Sequence, residues 1–386
     1  MYEYFPGNYW WSAMVTNSLG MGGEMTEIDP VCAGLRELAQ GEIGPAERAT
    51  WARAWRGLGE RVEALAARDA EQGLQASATR KYFRAANYLF VGEVMDPASD
   101  GDPGKLDHYR AAQRAFRSGV EHAARPVEFV EVPFEDNTLP ALFVPAVGVD
   151  GPAPCLVHFD GKDDVKEVTY LRHREGLADR GISLLIVDHP GSGEVLRLRR
   201  LYARHDIEVA ATAAVDYLVG RSDVDPDRLG IIAQSMGGYY APRSAAFEKR
   251  LKLCVVWGAI WSVLDVLADT GTSLEPDNWK LLGPLPHAEA VRERLAPFTL
   301  EDVIDQLECA LLVFHGENDR QVPLWTAERT VERAVNAATR ELRVFTNEEG
   351  GAEHCELDLF SQATDYIHDW VANFFAAVPA GMDATS

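Results

Sequence analysis

Six short apolar runs constrain this chain more than any other feature: Cys155-Leu156-Val157-His158-Phe159, Ile182 to Val187, Ile231-Ile232-Ala233, Leu251 to Trp257, Leu311-Leu312-Val313-Phe314 and Leu342-Arg343-Val344-Phe345. Most are apolar at consecutive rather than alternate positions, so both faces of each strand have to be covered, as in a parallel sheet between layers of helices. The stretches Val165–Arg180 and Asp206–Val219 lie between them with the length and composition of crossover helices. Two earlier segments differ. Val127 to Val132 alternates apolar and acidic residues, and Pro140 to Pro145 comes after the turn Glu135-Asp136-Asn137, which predicts an antiparallel hairpin opening the sheet. The fold class is therefore α/β, with a mostly parallel, doubly wound sheet.

The segments just beyond these strands point to chemistry. The run through Ala233 ends in Gln234-Ser235-Met236-Gly237-Gly238, a serine at a sharp strand-to-helix turn surrounded by small residues. Such a nucleophile elbow exposes the hydroxyl and crowds its neighbours, so glycine or alanine is needed around it; Ala233 stands where glycine is usual. After Leu311–Phe314 comes His315-Gly316-Glu317-Asn318-Asp319, and after Leu342–Phe345 a glycine-containing loop ends at His354. Asp319 is the candidate acid and His354 the candidate base. Singly, an aspartate after a strand is a turn former and a histidine before a helix is a cap. Jointly, the order Ser, Asp, His, each beyond a strand, is that of an α/β-hydrolase triad. Glu317 is the alternative acid, His315 a weaker alternative base, and Cys355 an alternative nucleophile beside His354. The amide of Met236 opens the next helix and suits an oxyanion. A second donor is expected in the loop Asp160-Gly161-Lys162-Asp163, from Lys162 first and Gly161 second.

Among 386 residues, 47% are hydrophobic, enough for one large core with an added subdomain. The formal charge is −23, spread along the chain, which argues against nucleic acid as a partner. No run of about twenty apolar residues and no leader pattern is present, so a cytoplasmic protein with no membrane partner is expected. Cys32, Cys155, Cys254, Cys309 and Cys355 are scattered and odd in number, consistent with reduced thiols; Cys155, Cys254 and Cys309 are expected within strands. No metal-ligand spacing and no dinucleotide fingerprint occurs, so no cofactor is implied. Up to about residue 125 helical periodicity prevails. Trp51, Trp55, Leu58, Val62 and Leu65 form one stripe within Ala46–Arg68, and Thr79–Val94 and Leu106–Val120 flank the breaker-rich Asp96–Gly104. The aromatic start, Tyr2 to Trp11, either docks on the core or reaches a pocket.

Asp160-Gly161-Lys162-Asp163 with Lys166-Glu167, Asp188-His189-Pro190-Gly191-Ser192-Gly193-Glu194, and Gly237-Gly238-Tyr239-Tyr240 resemble the fermentation-respiration switch protein-like esterases, a group of α/β-hydrolases. The helical residues 1–125 resemble that group's cap domain, and residues 126–386 read as the catalytic domain, whose segment at about 258–300 is too long for a plain connection and is expected as a helical insertion that helps to roof the site. It also implies a small-molecule substrate and a serine hydrolase acting on a carbonyl compound, with carbon–carbon cleavage of an aromatic or polyketide-like ketone the leading expectation. A carboxylesterase, an acyltransferase or cyclase, and a non-catalytic binder on the same fold are the alternatives. Trp257, Trp261 and Trp279 are candidates to line the pocket and Asp265 to serve as an auxiliary acid. A homodimer is a candidate assembly.

Overall fold

The structure, a computed structural model, describes residues 1–99 and 101–378. Asp100, within the breaker segment, lies outside the described residues. Two compact bodies are present: Met1–Val127 with Tyr170–Arg172, and Glu128–Thr169 with the residues from His173 onward.

The first body is helical. Its longest helices are Pro45–Glu71, Gln75–Val94 and Pro103–His122. The first begins with proline at N1, where no intrahelical donor is lost, and Glu47 returns a carboxylate to the Gly44 N–H at 3.0 Å. The third is capped by Asp102, whose side chain accepts from Gly104 and Lys105 N–H. The expected stripe is buried at Trp51, Trp55, Leu58 and Val62, while Ala66 replaces the half-buried Leu65 at its end. Two earlier helices, Tyr9–Gly20 and Met25–Ala33, are additional to those read from the sequence. Phe5 and Trp11 dock there on Trp51, with Trp11 and Trp51 ring centroids 4.8 Å apart, whereas Tyr2 and Trp10 are exposed.

The second body is built on one eight-stranded sheet. Its strands are β1 Glu128–Phe134, β2 Asn137–Val144, β3 Ala153–Phe159, β4 Ser183–Val187, β5 Val224–Gln234, β6 Leu251–Trp257, β7 Ala310–Gly316 and β8 Arg340–Phe345. Their spatial order is β1-β2-β4-β3-β5-β6-β7-β8, with β1, β2 and β4 antiparallel in turn and the rest parallel. The central strands β3, β4 and β7 are buried at every position, which is why their sequences are apolar without alternation. Each Val or Leu so buried contributes about 1.5–3 kcal/mol of transfer free energy. β1 is buried only in part, which leaves Glu128 half-buried and Glu131 exposed.

Three expectations need correction. The crossover expected over Val165–Arg180 is split: the helix ends at His173, Arg174 takes a left-handed φ of 45°, and a 3-10 turn covers Ala178–Arg180. A short helix, Gly193–Arg199, comes after the β4 loop where only a turn was expected. Cys309 precedes β7 rather than lying in it, while Cys155 and Cys254 are core strand residues. The stretch after β6 holds two short helices, Val263–Thr270 and Ala288–Leu295, with 3-10 turns between them.

Candidate active site

β5, β7 and β8 all run in one direction, so their carboxyl ends lie along one edge of the sheet and deliver three loops to one place. Ser235 sits just past β5 with a φ of 55°, left-handed for a residue with a side chain, at a cost of about 1–3 kcal/mol. Its N–H donates to the Trp257 carbonyl at 2.8 Å and its carbonyl accepts from Gly238 N–H at 2.6 Å, which holds the turn. A side chain at Gly237 would place Cβ 2.6 Å from the Ala233 methyl. Alanine is thus accommodated at 233 because 237 is glycine.

Ser235 Oγ–H donates to His354 Nε2 at 2.8 Å, and His354 Nδ1–H donates to Asp319 Oδ2 at 2.7 Å. A carboxylate only accepts, so Asp319 fixes the tautomer and leaves the Nε2 lone pair toward the serine. The other Asp319 oxygen accepts from the N–H of Gln321 at 2.8 Å and of Val322 at 2.9 Å. Burial would raise the Asp319 carboxyl, but the His354 imidazole, with His315 and the Val322 amide, holds it below the ordinary aspartate value. Burial likewise opposes charge on His354. The Asp319 carboxylate more than offsets this, aided by Cys355, and holds the imidazole well above its ordinary value.

Two of the alternatives are placed elsewhere, and the third, Cys355, adjoins the base. Glu317 Oε1 accepts from the backbone and side chain of Asn347, each at 2.6 Å. His315 donates from Nε2 to the Val322 carbonyl at 2.8 Å, behind Asp319. Cys355 Sγ lies 3.6 Å from His354 Nε2, and burial pushes its thiol up, away from the thiolate a nucleophile needs.

Met236 is the residue on which the helix Gly237–Phe247 starts, and Gly161 faces Ser235 closely enough that a Cβ there would be 2.9 Å from Ser235 Cβ. Among the described residues the N–H groups of Met236, Gly161 and Lys162 donate to no protein acceptor. The loop bearing Gly161 and Lys162 is pinned on both sides: Thr169 bonds Asp160, His189 Nε2 donates to the Asp160 carbonyl at 3.1 Å, and Gln234 bonds Asp164.

The four side chains expected at the substrate have these partners in the structure. Trp257 is fully buried, gives its indole N–H to Glu356, and meets His173 and Phe360 edge-on. Trp261 donates to Glu301 at 3.1 Å and lies under the guanidinium of Arg329 at 4.7 Å. Asp265 is exposed in the first turn of Val263–Thr270, where a carboxylate suits the helix dipole. Trp279 is buried with the Lys162 ammonium 4.9 Å from its ring.

Residues missed in the sequence tie the acid loop to the base loop. Glu353 accepts from Arg320 at 3.0 and 2.6 Å and from Asn318 at 3.1 Å, so the neighbour of Asp319 grips the neighbour of His354. The signal was available: opposite charges sit one residue from each candidate. Among the described residues no three or more His, Cys, Asp or Glu side chains are placed to hold a metal ion, and no helix is long and apolar enough to cross a membrane.

Comparison with known proteins bears out the α/β-hydrolase architecture. The chain is 26% identical over 332 residues to the 2,6-dihydropseudooxynicotine hydrolase of Paenarthrobacter nicotinovorans, covering 85% of each chain. That is more than the sheet-bearing body alone accounts for. It is 32% identical over 223 residues to the 20-hydroxy-prefusarin hydrolase of Gibberella moniliformis, a match spanning 56% of this chain and only 53% of that protein. In three dimensions it is similar to the crystal structure of 2,6-dihydroxy-pseudo-oxynicotine hydrolase, with a TM-score of 0.76, 23% identity, and coverage of 95% and 97% of the two chains. The prolyl oligopeptidase family model matches residues 170–374, more than half of the chain, and takes in Ser235, Asp319 and His354. The chain belongs to the prolyl oligopeptidase family, with an α/β-hydrolase fold.

Proposed function

We propose that this enzyme hydrolyses a carbon–carbon bond beside a carbonyl, in an aromatic or polyketide-like ketone, through an acyl-enzyme on Ser235. The observation that carries this reading is the unbroken hydrogen-bond line from Ser235 Oγ through His354 to the buried Asp319. Ser235 Oγ attacks the carbonyl carbon while His354 Nε2 takes its proton. Asp319 stabilises the resulting imidazolium without taking the proton. The oxyanion is received by the amides of Met236 and Lys162, with Gly161 as the alternative donor. Collapse of the adduct breaks the bond to the leaving carbon, whose electron pair is protonated by His354. Water, deprotonated by His354, then attacks the acyl carbon and releases Ser235.

Carbon–carbon cleavage is favoured over ester hydrolysis by the likeness to pseudooxynicotine hydrolase, which extends over most of both chains. Five cysteines without a disulfide suit a reducing, cytoplasmic setting. The test is product identification: purified enzyme is incubated with a panel of aryl ketones and matched aryl esters. Two fragments formed from a ketone with uptake of one water are expected. Turnover confined to the esters overturns the carbon–carbon reading, and transfer of the acyl group to an internal nucleophile, with no gain of water, identifies a cyclase.

A further inference from the structure

Breaking a carbon–carbon bond leaves an electron pair on carbon, and the barrier is low only where that charge is delocalised onto oxygen and met by a fixed positive group. The loops that leave the carboxyl ends of β3, β5, β6, β7 and β8 carry two permanently basic side chains, Lys162 and Arg320. Arg320 is spoken for, since Glu353 holds it at 3.0 and 2.6 Å. Lys166, just inside the next helix, is sealed among Asp188, Glu167 and Glu194 at 2.8, 3.0 and 3.5 Å. Lys162 is held differently. Its carboxylate neighbour is Asp163, at 3.8 Å and itself 58% exposed, and its own side chain is 31% exposed.

Position and support complete the case. Lys162 comes directly after Gly161, whose backbone abuts Ser235, in a loop pinned through Asp160 and Asp164. Its ammonium stands 4.9 Å from the ring centroid of Trp279, a buried indole whose N–H is committed to the Ser273 carbonyl at 3.0 Å. The aromatic face steers the ammonium without neutralising it, as a carboxylate would. On a chain of formal charge −23, a cation one residue from the glycine that abuts the nucleophile is a local reversal of sign.

We propose that the Lys162 ammonium, carried on Trp279, is a subsite for an anionic oxygen of the leaving fragment: an enolate, phenolate or carboxylate. The side chain then selects substrates whose departing half is negatively charged or becomes so, a role separate from that of the Lys162 backbone amide. The proposal rests on the serine-hydrolase reading, and its test has one arm that does not require turnover.

In the first arm, benzoate is titrated calorimetrically into Ser235→Ala protein and into the double variant Ser235→Ala, Lys162→Met. At least tenfold weaker binding in the double variant is expected, with affinity kept within threefold in Lys162→Arg on the same background. Equal affinities, or no benzoate binding to Ser235→Ala, overturn the subsite. In the second arm, kcat/KM is compared for 4-acetoxybenzoate and the neutral 4-acetoxybenzamide, which share an acyl group and differ in leaving-group charge. The anionic-to-neutral ratio should fall at least tenfold in Lys162→Met, and a ratio unchanged by that substitution overturns the proposal. Turnover of neither ester, with no fluorophosphonate adduct on Ser235, refutes the serine-hydrolase reading while the binding arm still decides the subsite.

Discussion

Two buried ionic assemblies lie in the sheet-bearing body, and they differ in one respect. Around Lys166 each charge meets an opposite one: Asp188 Oδ2 is 2.8 Å from the ammonium, its other oxygen accepts the Lys166 N–H at 2.9 Å, and Glu167 and Glu194 complete the shell. Burial opposes the lysine charge, and the three carboxylates restore it and push it above the ordinary lysine value. Around Asp319 the carboxylate is just as buried, yet the line it starts ends at a hydroxyl rather than at a counter-charge. A network of opposite charges locks the end of β4 to the helix after the oxyanion loop; a line that ends at a hydroxyl retains a proton to move. Burial of charge alone therefore does not distinguish structure from chemistry, whereas the group at the end of the line does.

That contrast is open to direct attack. Replacement of Ser235 by alanine should lower kcat by several orders of magnitude, roughly 10⁵-fold or more, with the urea unfolding midpoint little changed. Turnover retained within tenfold breaks the comparison at its root. Asp319→Asn should come next at about 10⁴-fold in kcat, because the tautomer that faces Ser235 is lost. It should also move the acid limb of kcat/KM. His354 has to be neutral to accept a proton and its value is raised by Asp319, so activity climbs with pH through a limb above about 6.5, and the variant's limb should lie lower. A limb that stays in place would detach the carboxylate from the base.

Lys166→Met sharpens the other side. Removing one member of a buried network costs about 3–5 kcal/mol, so stability should fall by that order while the surviving folded enzyme keeps its acid limb. A shifted limb at unchanged stability would mean that the two assemblies are coupled. The smallest effect concerns His368, which lies 3.0 Å from His173 and is lowered to about 4, chiefly by burial and then by Arg180. Its folded value lies below the unfolded one. Its contribution is therefore complete above about pH 6.5 and is lost as pH falls toward about 4, a span corresponding to about 3 kcal/mol. Urea midpoints at pH 7 and pH 4.5 for wild type and His368→Gln test this, and parallel losses in both would exonerate His368.

Much of this body was legible because its key side chains sit where strands end, and strands of a buried parallel sheet advertise themselves by unbroken apolar runs. Ser235, Asp319 and His354 were readable as positions beyond β5, β7 and β8. The features that escaped depend on three-dimensional neighbours. Nothing local announces that Trp257 turns its indole to Glu356, since an aromatic that ends an apolar strand suits a pocket and a core equally. The break at Arg174 was hidden because a left-handed arginine leaves no mark in composition. The ring of aromatics around Trp51 was visible as a set of residues, but not as a contact.

The line from Ser235 to Asp319 joins residues separated by 119 and 35 positions. It cannot exist until β5, β6, β7 and β8 are all side by side, and such distant pairings form slowly because each closes a long loop before it is rewarded. During refolding, helical signal should thus return ahead of catalytic competence. Regained activity in this enzyme is accordingly a clock for completion of the sheet, and any lesion that delays its last strand will silence the enzyme before it visibly unfolds it.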